Sequence, residues 1–249
     1  MSSVLIVGFG VVGENLSKEL SALSPDVYDI NKPGLDKRVK NRYDLAIICV
    51  NTPLTEENDL DITEVRNAVN ENDSEIYIIK STCPPGTTEK LKAETGKRIV
   101  VSPEYYGNTV HNNNFDFNFT ILGGDKQDCI DAIQILQHCY DARHQFRITD
   151  SRTAELAKLM ENSYLATKVS FCNQFYNICG QQGINYEELR ELFIMDPRVN
   201  PSHTFVFRDH PYWESHCLNK DVKYTAYGLD APLLQDVITF NDTQKTDSL

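Results

Sequence analysis

The chemistry in this chain concentrates near its end, in Ser215-His216-Cys217-Leu218-Asn219-Lys220-Asp221. With helix from Leu218 onward, Cys217 and Asp221 stand at i and i+4 and share one face, with Lys220 between them in sequence. A thiol at or just before a helix N-terminus has its thiolate favoured by the helix dipole and by nearby cations. Such a sulfur can add to a carbonyl, and a carboxylate can later help water release the product. Lys158 and Asn162 repeat the i, i+4 spacing in a run without proline or glycine, so an ammonium and an amide project from one helical face. The competing readings are plain ones: a partly buried cysteine beside a surface Lys-Asp pair, and a solvated polar stripe.

What must position these residues begins at the other end of the chain. Val4 to Val7 reads as a buried parallel strand. It feeds Gly8-Phe9-Gly10-Val11-Val12-Gly13 and a helical pattern from Val12 through Leu16, Leu20 and Leu23. Asp26 to Ile30 is a second strand ending near Asp29. Strand, glycine turn, helix, strand and terminal acid form a dinucleotide-binding fingerprint. Gly8 makes the tight turn, Gly10 lets backbone approach a pyrophosphate, and Gly13 permits close helix–strand packing. Asp29 lies about 20 residues beyond Gly8, where an acid holds ribose hydroxyls and repels a 2′-phosphate. The expected cofactor is therefore NAD rather than NADP. Lys32, the nearest cation, tempers that preference.

Strands are expected at Asp44–Val50, Glu75–Lys80, Arg98–Val101, Phe117–Leu122 and Phe146–Ile148. Helices are expected at Ile62–Val69, from Pro84 through Leu91, and at Ile130–Leu136. The connection from Asp29 to Asp44 is short for a crossover helix. Alternating strands and helices imply an α/β fold, a doubly wound Rossmann-type parallel sheet over residues 1–149. Asn51-Thr52-Pro53, Ser81-Thr82 and Ser102-Pro103-Glu104 each follow a strand. The carboxyl ends of strands are where such sheets bind ligands, so Val50, Asn51, Thr52, Ser81 and Thr82 are expected to line the cofactor with Phe9, Val11 and Val12. Residues 150–249 are expected to form a smaller helical domain built on one long helix, Thr153 to about Cys179. Ser151 or Thr153 is placed to cap it, and Gly180 and Gly183 to close it. A short helix is expected at Tyr186–Phe193 and a last one at Leu233–Phe240, with a polar tail from Asn241 that frays.

A chain of 249 residues has ample core for this plan. Its net charge of −12 argues against nucleic acid or an anionic membrane as partner. No apolar run approaches the ~18 residues of a membrane span, and the first residues lack the cationic start of a signal peptide, so a cytoplasmic enzyme is expected. Seven cysteines show no metal spacing, which suits reduced thiols and no structural metal.

Taken together, these motifs resemble the UDP-glucose/GDP-mannose dehydrogenase family, the NAD-dependent nucleotide-sugar dehydrogenases. The likeness runs in order through Val7-Gly8-Phe9-Gly10-Val11-Val12-Gly13, Cys49-Val50-Asn51-Thr52-Pro53, Ser81-Thr82 with Pro85-Gly86-Thr87, and Ser102-Pro103-Glu104. It continues through Ala154-Glu155-Leu156-Ala157-Lys158 with Asn162, Asp196-Pro197-Arg198, Cys217-Leu218-Asn219-Lys220-Asp221, and Ala231-Pro232-Leu233-Leu234 with Asn241. The resemblance implies oxidation of a sugar C6 alcohol to a uronate for polysaccharide biosynthesis, with two NAD reduced. It gives Cys217 the role of nucleophile and Lys158 that of oxyanion stabiliser. Asp221, Thr82 and Glu104 then serve hydrolysis, while Asn162, Glu104, Tyr105, Tyr106, Lys158 and Lys220 hold the sugar. Arg198 reaches the substrate of a neighbouring subunit in a homodimer.

The sequence departs from the family pattern in places. Tyr212-Trp213-Glu214-Ser215-His216 replaces a glycine-rich run, Asn108 replaces a glutamate, and the family's C-terminal nucleotide-gripping domain is not represented. Two alternatives stay open: a hydroxyacid-type dehydrogenase that stops after one hydride, and a cofactor-binding scaffold without turnover.

Overall fold

All four residues of strand β1 (Val4–Val7) are buried, and they face alternately into two different cores. Leu5 and Val7 join Ala46, Ile48, Tyr77 and Ile79 on one side; Val4 and Ile6 join Leu45, Ile47, Ile76 and Ile78 on the other. That is why these strands read as unbroken apolar runs: successive side chains point to opposite faces, and helices cover both. The computed structural model describes residues 2–37, 39–40, 42–105 and 117–247.

The remaining strands are β2 (Asp26–Tyr28), β3 (Tyr43–Ile48), β4 (Ser74–Ile79), β5 (Ile99–Val101), β6 (Phe119–Gly123) and β7 (Gln145–Thr149). They form one seven-stranded sheet in the order β2-β1-β3-β4-β5-β6-β7. The order reverses between β1 and β3, which opens a crevice at their carboxyl ends. Pairing is parallel except between β5 and β6, which meet antiparallel at Val101 and Gly123. The expected doubly wound parallel sheet is thus present with one antiparallel seam, since an antiparallel neighbour with both faces covered shows the same apolar run as a parallel one. Helices α1 (Val11–Glu19) and α4 (Lys126–Leu136) cover one face through Leu16 and Ala132. Helices α2 (Thr63–Glu71) and α3 (Thr87–Thr95) cover the other through Val65 and Leu91. Strand β2 stops at Tyr28, short of the expected Ile30, because the Asp29 carboxylate turns back to backbone N–H groups.

The chain divides into two compact units, Met1–Thr55 with Leu60–Lys158 and Glu56–Asp59 with Leu159–Leu249. Helix α5 (Ser151–Gln182) begins in the first and continues in the second. Its cap is Asp150, rather than Ser151 or Thr153: the Asp150 carboxylate accepts the backbone N–H and hydroxyl of Thr153 at 2.9 and 2.6 Å. Gly180 lies inside the helix and does not close it. The left-handed Gly183 (φ +66°) does, with the Ile184 N–H reaching the Cys179 carbonyl at 2.9 Å.

The second unit adds α6 (Tyr186–Phe193), capped by the Asn185 side chain, α7 (His216–Lys223), a π-helical turn at Tyr224–Gly228, and α8 (Pro232–Asp247). Trp213, Val222, Ala226 and Ile238 pack with Ala166 of α5. The expected fraying from Asn241 is not seen through Asp247, where the described residues end. Asn241 is buried, its amide oxygen accepting the Trp213 N–H at 2.8 Å and its amide nitrogen donating to the Trp213 carbonyl at 3.1 Å. Gln244 accepts from Asn177 of α5 at 2.7 Å. These polar residues extend α8 because their partners lie inside the fold.

Candidate active site

In the first unit the site begins as a backbone cradle. Gly8 has φ +91°, and a Cβ there would meet the Cys49 carbonyl at 2.7 Å; a Cβ on Gly13 would lie 2.1 Å from the Gly8 carbonyl. Gly10, by contrast, faces open space, with nothing within 4 Å of its missing Cβ. It is also the residue ahead of α1, which has no side-chain cap, so the first N–H groups of the helix are offered to an anion. The Asp29 carboxylate accepts from Phe9 N and Asn31 N at 2.8 and 2.9 Å. That fixes it at the mouth of the cradle while leaving lone pairs for a ribose diol. Lys32 is engaged by Glu14 at 3.0 Å and lies over the Phe9 ring. The residues present thus fit NAD: an uncapped helix N-terminus for the pyrophosphate, and an acid for the ribose.

The loops after β3 and β4 are tied to each other beside this cradle. The Ser81 hydroxyl donates to the Val50 carbonyl at 2.6 Å, and the Thr52 hydroxyl to the Thr82 carbonyl at 2.8 Å, while Asn51 Oδ1 accepts Thr52 N. Glu104 follows β5 and pairs with Lys80 at 3.2 Å; both side chains are largely buried. Lys80 was not among the residues expected to matter. A lysine directly after a buried apolar strand needs a buried counter-charge, and that is the signal it carried. The Lys158 ammonium stands 5.1 Å from the centre of the Tyr105 ring, and Lys158 is buried rather than part of a solvated stripe. Tyr106 and Asn108 lie outside the described residues.

Glu155, quoted in the sequence motif without a role, is also buried here. Its carboxylate accepts from Gly86 N, Thr88 N and the Thr88 hydroxyl. Burial raises its pKa, and the Thr88 and Gly86 donors pull the other way.

The second unit holds its own group of candidate residues, made of side chains. Ser215 caps α7 by accepting Leu218 N at 3.1 Å, which makes Cys217 the second residue of the helix. Cys217 is exposed, whereas the other six cysteines are buried or half-buried. Burial pushes the Cys49 thiol up to about 12 and Cys129 up to about 11, which leaves them poor nucleophiles. One turn beyond Cys217, Asp221 has no exposed surface. Its two oxygens accept from Lys220 Nζ and Asn162 Nδ2, each at 2.6 Å. Arg198 is exposed and forks onto Asp196. Among the described residues, no cluster of His, Cys, Asp and Glu is placed to hold a metal ion, and no helix is long and apolar enough to cross a membrane.

Comparison with known proteins follows the same two-part division. Residues 33–143 match the NAD binding domain of the UDP-glucose/GDP-mannose dehydrogenase family, and residues 152–243 match that family's central domain. The UDP-N-acetyl-D-mannosamine dehydrogenase of Methanococcus maripaludis is 30% identical over 86% of this chain and 55% of its own length. The GDP-mannose 6-dehydrogenase of Pseudomonas syringae is 27% identical over 81% of this chain and 51% of its own length. The chain thus spans about half the length of the curated relatives it matches. Among solved structures, the UDP-D-ManNAc dehydrogenase of Pyrococcus horikoshii superposes with a TM-score of 0.79 at 26% identity, over 96% of this chain and 68% of that one. The 3-hydroxyisobutyrate dehydrogenase of Mycobacterium tuberculosis shares the fold alone, with a TM-score of 0.73 at 15% identity over 100% of this chain and 95% of that one. By these matches, the chain belongs to the UDP-glucose/GDP-mannose dehydrogenase family and carries its NAD binding and central domains.

Proposed function

We propose that this chain oxidises the C6 alcohol of a nucleotide sugar to a carboxylate in two steps, with UDP-N-acetyl-D-mannosamine as the first substrate to try, given its relatives. The observation that carries the reading lies in the second unit. An exposed Cys217 stands one turn ahead of a wholly buried Asp221 whose carboxylate is bonded by Asn162 and Lys220. A thiol is superfluous to a single alcohol oxidation. It is needed where an aldehyde must be held and oxidised again.

NAD, when bound, accepts one hydride at each oxidation. Lys158 stabilises the alkoxide of the first step and the oxyanion of the later ones, a task suited to an ammonium screened from water. The Cys217 sulfur adds to the aldehyde carbon to give a thiohemiacetal, and loss of hydride from that carbon leaves a thioester. Water then attacks the thioester carbon, and the C–S bond breaks to release carboxylate and free Cys217. Asp221, Thr82 and Glu104 orient that water and take its proton; Asn162, Tyr105 and Lys220 hold the sugar. The balance is one alcohol, one water and two NAD consumed for one carboxylate, two NADH and three protons.

The chain also acts as a homodimer in this reading. Met160, Tyr164, Phe171, Phe175 and Ile178 leave apolar surface exposed along α5, joined by Phe193 of α6, and a second copy is the natural cover. Arg198 then reaches into the partner's site. Counting NADH per UDP-N-acetyl-D-mannosamine consumed tests the chemistry: two supports it, and one sinks the covalent route. Mass spectrometry of Asp221→Asn after turnover should find an acyl adduct on Cys217.

A further inference from the structure

Glu155 is one of the buried ionisable side chains to which the proposed chemistry gives no task. Glu155 is 2% exposed. A carboxylate withdrawn from water is costly unless donors replace the lost hydration, and those around Glu155 come from another element. Helix α3 has no side-chain cap of its own: Gly86 precedes it with φ +97° and no side chain. Glu155 supplies the acceptor instead. Oε2 takes Gly86 N at 2.5 Å, and Oε1 takes Thr88 N at 2.9 Å and the Thr88 hydroxyl at 2.7 Å. The two oxygens go to two different residues, so they specify the rotation of α5 about its axis as well as its distance from α3. Two neighbouring contacts agree with this placement. Gly123 lets α5 approach so closely that a Cβ there would lie 2.6 Å from Ala154 Cβ, and Arg152 pairs with Glu89 at 2.8 Å.

Glu155 precedes Lys158 by three residues, so both emerge from one face of α5 a single turn apart. The geometry points to Glu155 as the positioning residue for Lys158: by clamping the start of α5 to the N-terminus of α3, it sets where the ammonium stands beside Tyr105. The functional half of this inference rests on the role proposed for Lys158; the clamp itself does not.

The test uses the full chain with Glu155→Gln, Thr88→Val and Lys158→Ala. An amide retains one acceptor oxygen but turns its NH2 toward N–H donors, so Glu155→Gln breaks one arm of the clamp. With UDP-N-acetyl-D-mannosamine and NAD, Glu155→Gln should lower kcat about thirtyfold, the scale of a misplaced catalytic group. The KM for NAD should stay within about twofold. Thr88→Val, which removes one donor and keeps the backbone one, should give a smaller loss and serves if Glu155→Gln does not fold. In the Lys158→Ala background the Glu155 effect should shrink to about twofold or less, because a residue acting through another is not additive with it.

A second readout needs no turnover. Amine-selective labelling read by mass spectrometry should modify Lys158 at least about tenfold faster in Glu155→Gln, as a locally opened segment does, while calorimetry shows NAD affinity unchanged. Unchanged labelling of Lys158 in both Glu155→Gln and Thr88→Val would overturn the clamp. Faster labelling with full additivity of the two kcat losses would overturn its catalytic role. A Lys158→Ala variant as active as the parent would refute the function proposed for Lys158 and leave the clamp to the labelling result.

Discussion

The cofactor cradle and the Asp221 cluster are built on opposite principles. The cradle works through atoms that are absent: Gly8 and Gly13 allow backbone to lie where any Cβ would collide, and Gly10 leaves room for a ligand. The Asp221 cluster works through atoms that are present: an amide, an ammonium and a carboxylate closed on one another within 2.6 Å. The first should therefore be damaged by adding groups and the second by removing them. They should also differ in how they respond. A backbone cradle has no charge to lose, whereas an ion pair shielded from water becomes a liability when one member goes.

Four substitutions probe this contrast, beginning with the largest effect. Cys217→Ala removes a single exposed sulfur. It should cut acid formation by at least about 10³-fold, the order seen when a nucleophile is deleted, and shift the urea midpoint very little. A variant that forms acid at the parental rate would dissolve the distinction between the two regions at its most sensitive point. Asp221→Ala removes a wholly buried carboxylate that accepts from Lys220 and Asn162, and should cost about 3–5 kcal/mol of stability by denaturant titration.

Gly13→Ala and Gly10→Ala then sharpen the comparison inside the cradle. The first drives a methyl to 2.1 Å from a carbonyl and should cost about 3 kcal/mol, as overpacking does. The second places its methyl in open space, so stability should move by about 0.5 kcal/mol or less. Calorimetry should nonetheless find NAD binding about tenfold weaker, as expected when backbone approach to the pyrophosphate is blocked. Equal stabilities for the two variants would contradict the geometry.

The smallest pair, Gly180→Ala and Gly183→Ala, extends the rule outside the site. Gly180 sits in a helix with open space around it and should gain about 1 kcal/mol as alanine. Gly183, at φ +66°, should lose about the same. Thermal midpoints that move in the same direction would show the rule to be wrong.

The same contrast separates what could be read from the chain beforehand. Interactions made by backbone leave a local imprint: the glycine spacing before α1, the apolar runs of β1, β3 and β4, and the hydrophobic spacing of α6 between Asn185 and Phe193 all announced themselves. Misreadings arose where a distant partner decided the outcome. The tail after Phe240 looks too polar to hold a helix, yet Asn241 is engaged by Trp213 and Gln244 by Asn177 of α5. Gly180 resembles a helix stop because sequence carries no φ angle, and only Gly183 adopts the left-handed one. For Asp221, the i, i+4 relation to Cys217 was visible. Its bond to Asn162, 59 residues earlier, was not, since no local pattern encodes a side-chain pairing across that distance. The pairing of Glu155 with Gly86 and Thr88, 69 and 67 residues earlier, is equally invisible to local pattern.

The chain's one tryptophan gives the second unit its own optical signal. Trp213 is 5% exposed, its indole N–H donates to the Ser170 hydroxyl at 3.0 Å, and Asn241 brackets its backbone. Its emission should be blue-shifted while α8 stays docked and move to the red once water enters. No tryptophan lies in the sheet-bearing unit, so NAD titration and Trp213 emission are separate gauges on the same unlabelled molecule. A denaturant series followed by both would reveal whether the two units melt together or in sequence.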